Sequence, residues 1–374
     1  MAYRRLGDYI KEVNVRNNDL EITNPMGINI DKYFMPSVAN VIGTDLSTYK
    51  LVGKNQFACN LMHVGRDERI PMALHTDDAP IIVSPAYFVF EVIQNDILLP
   101  EYLMIWFRRP EFDRNAWFYT DADVRGGLSK EAFLDMRLPI PSIQEQRNIV
   151  AEYQAVEQRI ENNNRLIKTL EDTAQAIYHH TFVENIDPEN LPEGWKLGVL
   201  SDLAEEKLNH ITKADTIRYR YYLPIECIPK KCMVYGQPLS SELAESSLIS
   251  FDKKDIIMGA IRPYFHKVVY ARTNGITRST CIVIKSKEKS QWEYLMCLMY
   301  QEKTIKYATA HSQGTTMPYV NWNVLSKMNI YIPSETALLE FKHKTADIFV
   351  LLANVAEEQI ILQRISQMLL SKLS

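Results

Sequence analysis

The sequence lacks the motifs that mark common catalytic centres. It contains no GxGxxG or GxxxxGK loop, no HExxH pair and no Asn/Asp-Pro-Pro-aromatic motif for amino-group methylation, since NPM at 24–26 lacks the second proline. Glu205 and Lys207 match only half of a nuclease motif, in a stretch whose composition is typical of a surface. We therefore expect a chain that is not itself an enzyme.

Paired cysteines and long apolar runs are missing as well. The five cysteines, at positions 59, 227, 232, 281 and 297, show no CxxC or zinc-type spacing, so we expect reduced thiols and no metal site. No apolar run approaches the roughly 20 residues needed to span a bilayer, and the N-terminal segment lacks the apolar core of a secretion signal. These absences predict a cytoplasmic protein without membrane contact.

The most regular feature present is residues 143–181, which contain no glycine or proline. A helix of this length would be roughly 58 Å long, at about 1.5 Å per residue, and should need a partner helix. Pro139, Pro141 and a possible N-cap, Ser142, precede it. Its seam residues recur at alternating steps of four and three: Ile149, Tyr153, Val156, Ile160, Asn163, Ile167, Leu170, Ala174, Ile177 and Thr181.

A second seam lies 192 residues further along the chain, and the same offset superposes the Pro-Ser pair at 141–142 on that at 333–334. We interpret the chain as an internal duplication rather than as two unrelated amphipathic helices, because ten positions match in one register. The second seam consists of Phe341, Thr345, Ile348, Leu352, Val355, Gln359, Leu362, Ser366, Leu369 and Leu373.

The predicted class is α+β, with two tandem mixed α/β domains, each followed by a long helix, and with the two helices in an antiparallel coiled coil. The predicted boundaries are 1–142 for the first domain, 143–182 for its helix, 183–196 for a linker, 197–332 for the second domain and 333–374 for the second helix. In an end-to-end register Asn163 would lie opposite Gln359, and the two buried amides would satisfy each other.

Charge is segregated along the chain although the formal net charge is only −4. Residues 152–193 contain nine acidic and three basic side chains, whereas residues 253–278 contain six basic and one acidic. Cations alternate with aromatics in the second half, and in the first half we expect Lys54, Asn60, His63, Arg66 and Arg69 to cluster around one loop. Such side chains contact phosphates and base edges. The alternative interpretation of these cations is that they lie on exposed strand edges and prevent aggregation. We favour double-stranded DNA, bound by Lys54, Asn60, His63, Arg66, Arg69 and Arg125 in the first half and by Arg218, Arg220, Tyr221, Lys230, Lys231, Arg262, Tyr264, His266, Lys267 and Arg278 in the second.

Several segments resemble the specificity (S) subunits of type I restriction-modification systems. In the first half these are QFACN at 56–60, VGRD at 64–67, RGGL at 125–128 and LPIPSIQEQ at 138–146. The second half adds LPEGW at 191–195, DIIMGAIRPYFH at 255–266 and MPYVNW at 317–322, in the family's order. The resemblance therefore covers the whole chain.

The resemblance implies a non-catalytic subunit in which each target-recognition domain reads half of a bipartite, asymmetric DNA site. It also implies that the paired helices set the spacer and hold two methyltransferase (M) subunits, which restriction (R) subunits join. The assembled complex would be a DNA adenine methyltransferase and ATP-dependent endonuclease. S-adenosylmethionine would bind the M subunits, ATP and Mg²⁺ would serve the R subunits, and this chain would hold no cofactor.

Apolar residues outside the seams predict the surface for the M subunits, because a two-helix pair cannot bury so wide an apolar face. They are Leu166, Tyr178, Val350, Ile360, Ile361 and Ile365, with Val150, Leu351 and Leu370 beside them. Two alternatives remain: a stand-alone DNA-binding protein without a methylase, and a coiled-coil adaptor whose basic loops bind protein. DNA binding that requires an M subunit would support the specificity subunit. Binding without one would favour the stand-alone protein, and no binding would favour the adaptor.

Overall fold

The computed structural model describes residues 3–38, 43–62, 64–120, 126–184, 186–245 and 247–373. The chain divides into two compact units, Met1–Gln158 with Arg364–Ser374 and Arg159–Gln363. Each unit contains one set of sheets together with part of each long helix. The predicted class, tandem α/β domains with two long helices, is confirmed.

The first unit has two sheets of orders β2-β9-β6-β7 and β4-β3-β8-β5, and a ribbon of β1 with β10. Its strands are β1 (Tyr3–Arg5), β2 (Ile10–Glu12), β3 (Pro25–Ile28), β4 (Phe34–Pro36), β5 (Lys50–Val52), β6 (Gln56–Cys59), β7 (Met72–Leu74), β8 (Ile81–Val83), β9 (Phe88–Val92) and β10 (Arg137–Pro139). The helices are α1 (Val64–Asp67), α2 (Pro100–Phe107), α3 (Pro110–Phe118), α4 (Lys130–Asp135) and α5 (Ile143–Phe182), with 3-10 turns at Leu6–Asp8 and Leu46–Thr48.

The second unit has sheets of orders β12-β20-β17-β18 and β13-β16-β19-β14-β15, and a ribbon of β11 with β21. Its strands are β11 (Lys196–Val199), β12 (Ala204–Glu206), β13 (His210–Ile211), β14 (Tyr221–Tyr222), β15 (Leu239–Ser240), β16 (Leu248–Phe251), β17 (Ile256–Gly259), β18 (Val268–Tyr270), β19 (Gly275–Arg278), β20 (Cys281–Ser286) and β21 (Asn329–Ile332). The helices are α6 (Leu200–Leu203), α7 (Trp292–Tyr300), α8 (Glu302–Ala310), α9 (Trp322–Leu325) and α10 (Glu335–Ser371), with 3-10 turns at Ala214–Arg218, Ile225–Cys227, Ser241–Leu243 and Pro263–Phe265.

The two units repeat one architecture. The sheet order β2-β9-β6-β7 corresponds to β12-β20-β17-β18, and the ribbon of β1 with β10 corresponds to that of β11 with β21. Helices α2, α3 and α5 begin at residues 100, 110 and 143, and α7, α8 and α10 begin 192 residues later, at 292, 302 and 335. The offset that relates the two helical seams in the sequence therefore also relates the helices of the two domains.

Local sequence sets the start of α5. Ser142 and Glu145 form a reciprocal capping box, in which the Glu145 N–H donates to Ser142 Oγ at 3.3 Å and the Ser142 N–H donates to Glu145 Oε2 at 2.9 Å. Ser334 is the corresponding residue before α10, and its Oγ accepts a hydrogen bond from the Ala337 N–H at 3.3 Å. Ser142, the predicted N-cap, and Ser334 therefore each satisfy an otherwise free backbone donor.

Helices α5 and α10 pair in antiparallel order. Gln359 Nε2 donates to Asn164 Oδ1 at 2.9 Å in the second unit, and Ser366 Oγ donates to Glu157 Oε1 at 2.8 Å in the first. Positions on α10 rise as their partners on α5 fall, which is the antiparallel direction. Both contacts lie within one residue of the predicted register.

The predicted hydrogen bond between Asn163 and Gln359 is wrong. Asn163 Nδ2 donates to Glu358 Oε2 at 3.1 Å, while Gln359 donates to Asn164. Arg159 also donates to both carboxylate oxygens of Glu358, at 2.9 and 3.0 Å. A carboxylate is a stronger acceptor than an amide, so Asn163 joins this ion pair.

The seams and the helix positions next to them line the two domain cores. In the second unit Tyr178 and Phe182 of α5 pack with Phe341 of α10 and Tyr294 of α7, and the Phe182 ring centroid lies 4.7 Å from that of Tyr294. In the first unit Tyr153 of α5 packs in the core with Val150 and with Leu369, Leu370 and Leu373 of the α10 end. Each helix is therefore stabilised by its domain as well as by the other helix.

Glu171 is a carboxylate buried where α5 meets the second domain. Its side chain accepts hydrogen bonds from the Met233 N–H at 2.6 Å and from Cys232 Sγ at 3.2 Å. Burial disfavours its charged form and raises its pKa above the usual value of 4.5. The folded protein therefore holds this proton to a higher pH than the unfolded chain does.

We expect Glu171→Gln to raise stability at neutral pH more than at acid pH. The folded state binds the Glu171 proton more tightly than the unfolded chain does. The contribution of Glu171 to the free energy of unfolding of the wild type therefore decreases between pH 4.5 and the raised pKa. Glutamine keeps an acceptor for the Met233 N–H and does not titrate. Urea unfolding at about pH 5 and about pH 8 measures the difference. Glu152→Gln, an exposed change on the same helix, is the control, and equal pH slopes in all three proteins would contradict the assignment.

Candidate nucleic-acid interface

Each unit has a loop after the third strand of its β2-β9-β6-β7-type sheet, held by a second segment. In the first unit the Gly65 N–H donates to the Gly126 carbonyl at 2.7 Å, and the Leu128 N–H donates to Leu61 at 2.8 Å. In the second unit the Arg262 N–H donates to the Pro318 carbonyl at 2.7 Å, and the Val320 N–H donates to the Ala260 carbonyl at 3.0 Å. These bonds give the Gly-Gly segment of the first unit and residues 318–320 of the second equivalent places beside the two loops.

The first-unit loop depends on two glycines in backbone contact. A Cβ on Gly65 would lie 2.7 Å from the Gly126 Cα, and a Cβ on Gly126 would lie 2.6 Å from the Gly65 Cα. Gly126 also has a φ of +55°, in the left-handed region that favours glycine. Two side-chain-free residues allow the segments to approach closely enough for the hydrogen bond.

In the first unit, the structure places the predicted DNA-contacting residues in two groups. Asn60, Arg66 and Arg69 follow β6, and Asn60 Oδ1 accepts a hydrogen bond from the Met62 N–H at 3.0 Å. Lys54 precedes β6, at its other end, and pairs with Asp78 at 2.7 Å. The expectation that Lys54 clusters with the loop is therefore wrong, because a strand separates them. His63 and Arg125, also predicted, lie outside the described residues.

The two loop arginines of the first unit are exposed and paired with carboxylates. Arg66 donates through Nε and Nη2 to Asp67, at 2.7 and 2.9 Å. Arg69 Nη1 lies 3.2 Å from the Asp31 carboxylate. Both guanidinium groups are more than half exposed, so solvent screens these ion pairs and a polyanion can replace the carboxylates.

Phe265 organises the corresponding loop of the second unit. Lys230 Nζ lies 4.1 Å from the ring centroid of Phe265, and Arg262 Cζ lies 6.0 Å from it. The ring of Tyr264 packs edge-on against Phe265 at 4.9 Å and is itself half exposed. Neither Lys230 nor Arg262 has a carboxylate partner within the part of the chain that is described. Phe265 was absent from the predicted site, although it stands inside the Arg-Pro-Tyr-Phe-His segment.

Lys231 and Lys267 flank this aromatic centre. Lys231 Nζ lies 3.3 Å from the Glu302 carboxylate, and Lys267 Nζ donates to the Ile225 carbonyl at 2.6 Å. Arg262 has a left-handed φ of 51°, which ends the extended backbone of the strand and begins the 3-10 turn. The structure therefore brings cations from two separate segments of the sequence to one loop.

His266 does not belong to the exposed surface, contrary to the prediction. It is 3% exposed, its Nε2 lies 2.9 Å from the Tyr300 carbonyl, and its Nδ1 lies 3.4 Å from Glu302. Burial lowers its pKa, with the nearby Glu302 carboxylate opposing that shift. His266 has a left-handed φ of 53°, and its side chain packs between the loop and helices α7 and α8.

The remaining predicted residues lie on the five-stranded sheet, as Tyr221 and Arg278 do, or in the segment that leads into its strand β14, as Arg218 and Arg220 do. Arg220 Cζ lies 5.2 Å from the Tyr221 ring centroid on β14, and Arg218 pairs with Asp215 at 3.3 Å. Arg278 ends β19, the strand that pairs with β14. Arg218 and Arg220 are exposed, whereas Tyr221 and Arg278 are half-buried. These residues form a second cationic group, distinct from the Phe265 loop.

Comparison with known proteins gives a consistent family. A family model described as type I restriction modification DNA specificity domain matches residues 192–366. The type I restriction enzyme MjaIX specificity subunit of Methanocaldococcus jannaschii is 21% identical over 314 residues, which cover 75% of this chain and 70% of that protein. The crystal structure of a type I system S subunit from M. genitalium matches with a TM-score of 0.61 at 14% identity, covering 100% of this chain and 95% of that one. Residues 192–366 thus match the specificity-domain family, and the chain as a whole is similar to type I specificity subunits.

Specificity subunits have a role in DNA sequence specificity and are generally non-catalytic. The five cysteines of this chain are free thiols. No group of three or more potential metal-binding side chains occurs among the residues with described positions. Over the same residues, no helix is both long and apolar enough to cross a membrane.

The helix surface predicted for partner subunits is only partly exposed. Val350, Leu351 and Ile361 are 59%, 42% and 55% exposed, and Leu166 and Ile365 are each 38% exposed. Tyr178 and Ile360 are buried, at 4% and 6%, which contradicts their assignment to an open interface. Val150 is also buried and Leu370 is packed against the first-unit core. The domains cover these positions, so the apolar pattern of a helix alone overestimates the free surface.

We expect Gly65→Ala to destabilise the first-unit loop, because the new Cβ would meet the Gly126 backbone at 2.7 Å. Forced displacement of packed backbone costs about 1–3 kcal/mol. Gly127→Ala is the matched control, since its nearest atoms are carbonyl oxygens at 3.8 and 3.9 Å. Denaturant unfolding of both variants tests this expectation, and equal stabilities would show that the glycine contact is dispensable.

Proposed function

We propose that each unit of this specificity subunit reads one half of a bipartite double-stranded DNA site. The support is the duplication: one architecture occurs twice, and each copy presents a cationic loop after the equivalent strand, β6 or β17. Each loop is fixed at both ends by backbone hydrogen bonds. Two different loops on one repeated scaffold suit two unlike half-sites.

In the second unit, the side chains around Phe265 supply two kinds of DNA contact. Arg262 has the fork of donors that matches the guanine edge, and Lys230 is a point charge suited to phosphate. Their position over the Phe265 ring limits their freedom before DNA arrives, and so reduces the entropy lost on binding. Arg218, Arg220 and Arg278 would contact the backbone beside this loop.

In the first unit, Arg66 is the base-reading candidate, and Arg69 and Asn60 lie on the same loop. Asp67 accepts hydrogen bonds from one edge of the Arg66 guanidinium, through Nε and Nη2, so this edge must leave the carboxylate before it can read a base. Solvent screens this exposed ion pair and so lowers the cost of the exchange. Lys54, at the other end of β6, would contact neither the same base nor the same phosphate.

The paired helices would set the spacer and hold two methyltransferase subunits. The observation that supports a partner here is the exposed apolar set Val350, Leu351 and Ile361 on α10. The methyltransferase subunits would bind S-adenosylmethionine, and restriction subunits with ATP and Mg²⁺ would complete the complex. DNA adenine methylation and ATP-dependent cleavage would then be activities of the assembly.

Arg66→Ala and Arg262→Ala should each loosen recognition of a different half-site. A lost bidentate base contact costs about 1–3 kcal/mol of discrimination. Co-expression of each variant with the methyltransferase subunits, followed by mapping of methylated adenines, measures the change at single positions of the site. Arg114→Ala, an exposed arginine of the first unit that pairs with Glu111, is the control.

The wild-type map should show two short specific blocks with a fixed gap. If Arg66→Ala and Arg262→Ala relaxed the same block, the division of labour between units would be disproved. DNA binding by the chain without any methyltransferase subunit would favour the stand-alone alternative.

Val350→Glu together with Ile361→Glu should weaken binding of the methyltransferase subunits, because both residues are exposed on α10 and a buried charge at an apolar interface is costly. His343→Glu with Lys344→Glu, also exposed on α10, is the control for added negative charge. Analytical ultracentrifugation reports assembly, and circular dichroism reports folding. Assembly that survives the Val350/Ile361 change would exclude this face as the contact.

A further inference from the structure

A lysine-lined cleft lies in the second unit at the end of β17 opposite the Arg262 loop. Its volume is about 610 Å³, and Trp292 and Ser286 form part of its wall. Lys253 and Lys254 precede β17 and Arg262 follows it, so the strand separates the cleft from the proposed DNA contacts. The cleft is lined by Lys253, Lys254, Lys285, Lys287, Lys289 and Lys342.

Most of this positive charge is not neutralised. Lys254 pairs with the buried Glu293 at 3.7 Å, and Lys287 and Lys342 donate only to backbone carbonyls. For Lys253, Lys285 and Lys289, the described part of the chain provides no carboxylate within ion-pair distance. The other acidic lining residues are Asp255, which pairs with Lys207 at 3.3 Å, and the exposed Glu288.

An apolar groove of about 420 Å³ continues from the cleft along α10. The two cavities share Lys253, Lys254, Trp292 and Lys342. The groove adds the half-exposed Val350, with a floor and walls formed by Ala346, Phe349, Ala353 and Tyr270. Its far end holds Arg272, whose Nη1 lies 3.1 Å from Glu357. One continuous surface is thus cationic at one end and apolar in the middle.

The described residues of the first unit share little of this surface: Lys54 corresponds to Lys253 in strand register, but it is paired with Asp78 at 2.7 Å. The 192-residue offset pairs Lys342 with Val150, and pairs the groove residues Ala346, Phe349, Val350 and Ala353 with Gln154, Glu157, Gln158 and Glu161. Lys285 lies in the part of β20 that pairs with the edge strand β12. In strand register it corresponds to Glu91 of β9. The lysines and the apolar floor therefore occur together in one copy of the duplicated architecture and not in the other.

We propose that this groove of the second unit binds an acidic amphipathic segment of the methyltransferase subunit. The segment's apolar side chains occupy the groove beside Phe349 and Val350, and its carboxylates meet Lys253, Lys285 and Lys289. This inference rests on the proposed function for the identity of the partner, and adds the chemistry of the contact.

The lining residues favour a protein segment over DNA. Base reading uses arginine, asparagine, glutamine or accessible aromatic side chains, and none of these lines the lysine cleft. Its single aromatic residue, Trp292, is 4% exposed, with Lys254 Nζ 4.7 Å from its ring centroid. A phosphate backbone would also gain nothing from the adjoining apolar groove, whereas an amphipathic segment uses both parts.

The test is charge reversal of Lys253, Lys285 and Lys289 to glutamate in the full chain. Lys196, Lys327 and Lys344, three exposed lysines of the same unit outside the cleft, are reversed together as the control. We expect the cleft variant to bind methyltransferase subunits about tenfold more weakly and with less salt dependence, while the control changes less than about twofold. Circular dichroism verifies that both variants fold.

A peptide probe tests the chemistry separately. We expect a fluorescent amphipathic Glu/Leu peptide of about 14 residues to bind the wild-type chain, and its Lys/Leu counterpart not to bind. Methyltransferase binding that is equal in the cleft and control variants would overturn the inference and leave the proposed function standing. Absence of methyltransferase binding to the wild-type chain would instead overturn the proposed function and the partner named here. Displacement of the Glu/Leu peptide by ATP or by a short duplex would assign the cleft to phosphate and also overturn the inference.

Discussion

Burial of the apolar seams of α5 and α10 is the interaction on which both units depend. A 40-residue helix with an apolar stripe is not stable alone in water, and these helices pack with the domain cores as well as with each other. Phe182 contacts Tyr294 and Phe341 at ring-centroid distances of 4.7 and 4.9 Å. Full burial of one such side chain contributes about 1.5–3 kcal/mol, so loss of either helix would leave the cores of both units incomplete.

The duplicated architecture separates what must stay constant from what can differ. The sheet order, the ribbon that closes each domain and the helix starts repeat in both units. The loops on this scaffold differ in chemistry, with glycines in backbone contact in the first unit and an aromatic centre in the second. Backbone hydrogen bonds hold both loops in equivalent places, so their side chains vary without altering the support. Such a scaffold fits a family whose members confer DNA sequence specificity.

The lysines and arginines of the predicted site, which look equivalent in the sequence, differ in the groups that surround them in the structure. Arg66 and Arg69 are paired with nearby carboxylates, and Lys230 and Arg262 lie over an aromatic ring. At the other end of β17, Lys254 has both a carboxylate partner and an aromatic ring, whereas Lys253, Lys285 and Lys289 have neither among the described residues. The two ends of a strand have different surroundings. Cations at the Arg262 end of β17 can therefore contact the proposed DNA, whereas cations at the other end face a different surface.

The sequence by itself determined the duplication, the two long helices and the N-cap of α5, because the seam periodicity and the serine before it are local patterns, and the duplication indicated antiparallel pairing. It also identified the Arg262 loop, whose residues are contiguous. Only the tertiary structure decided that His266, Tyr178 and Ile360 are buried, that Lys54 lies apart from Arg66, and that Asn163 bonds to Glu358. Those outcomes depend on which distant segments pack against each residue. A helical or strand period specifies the face on which a side chain lies, but not what covers that face.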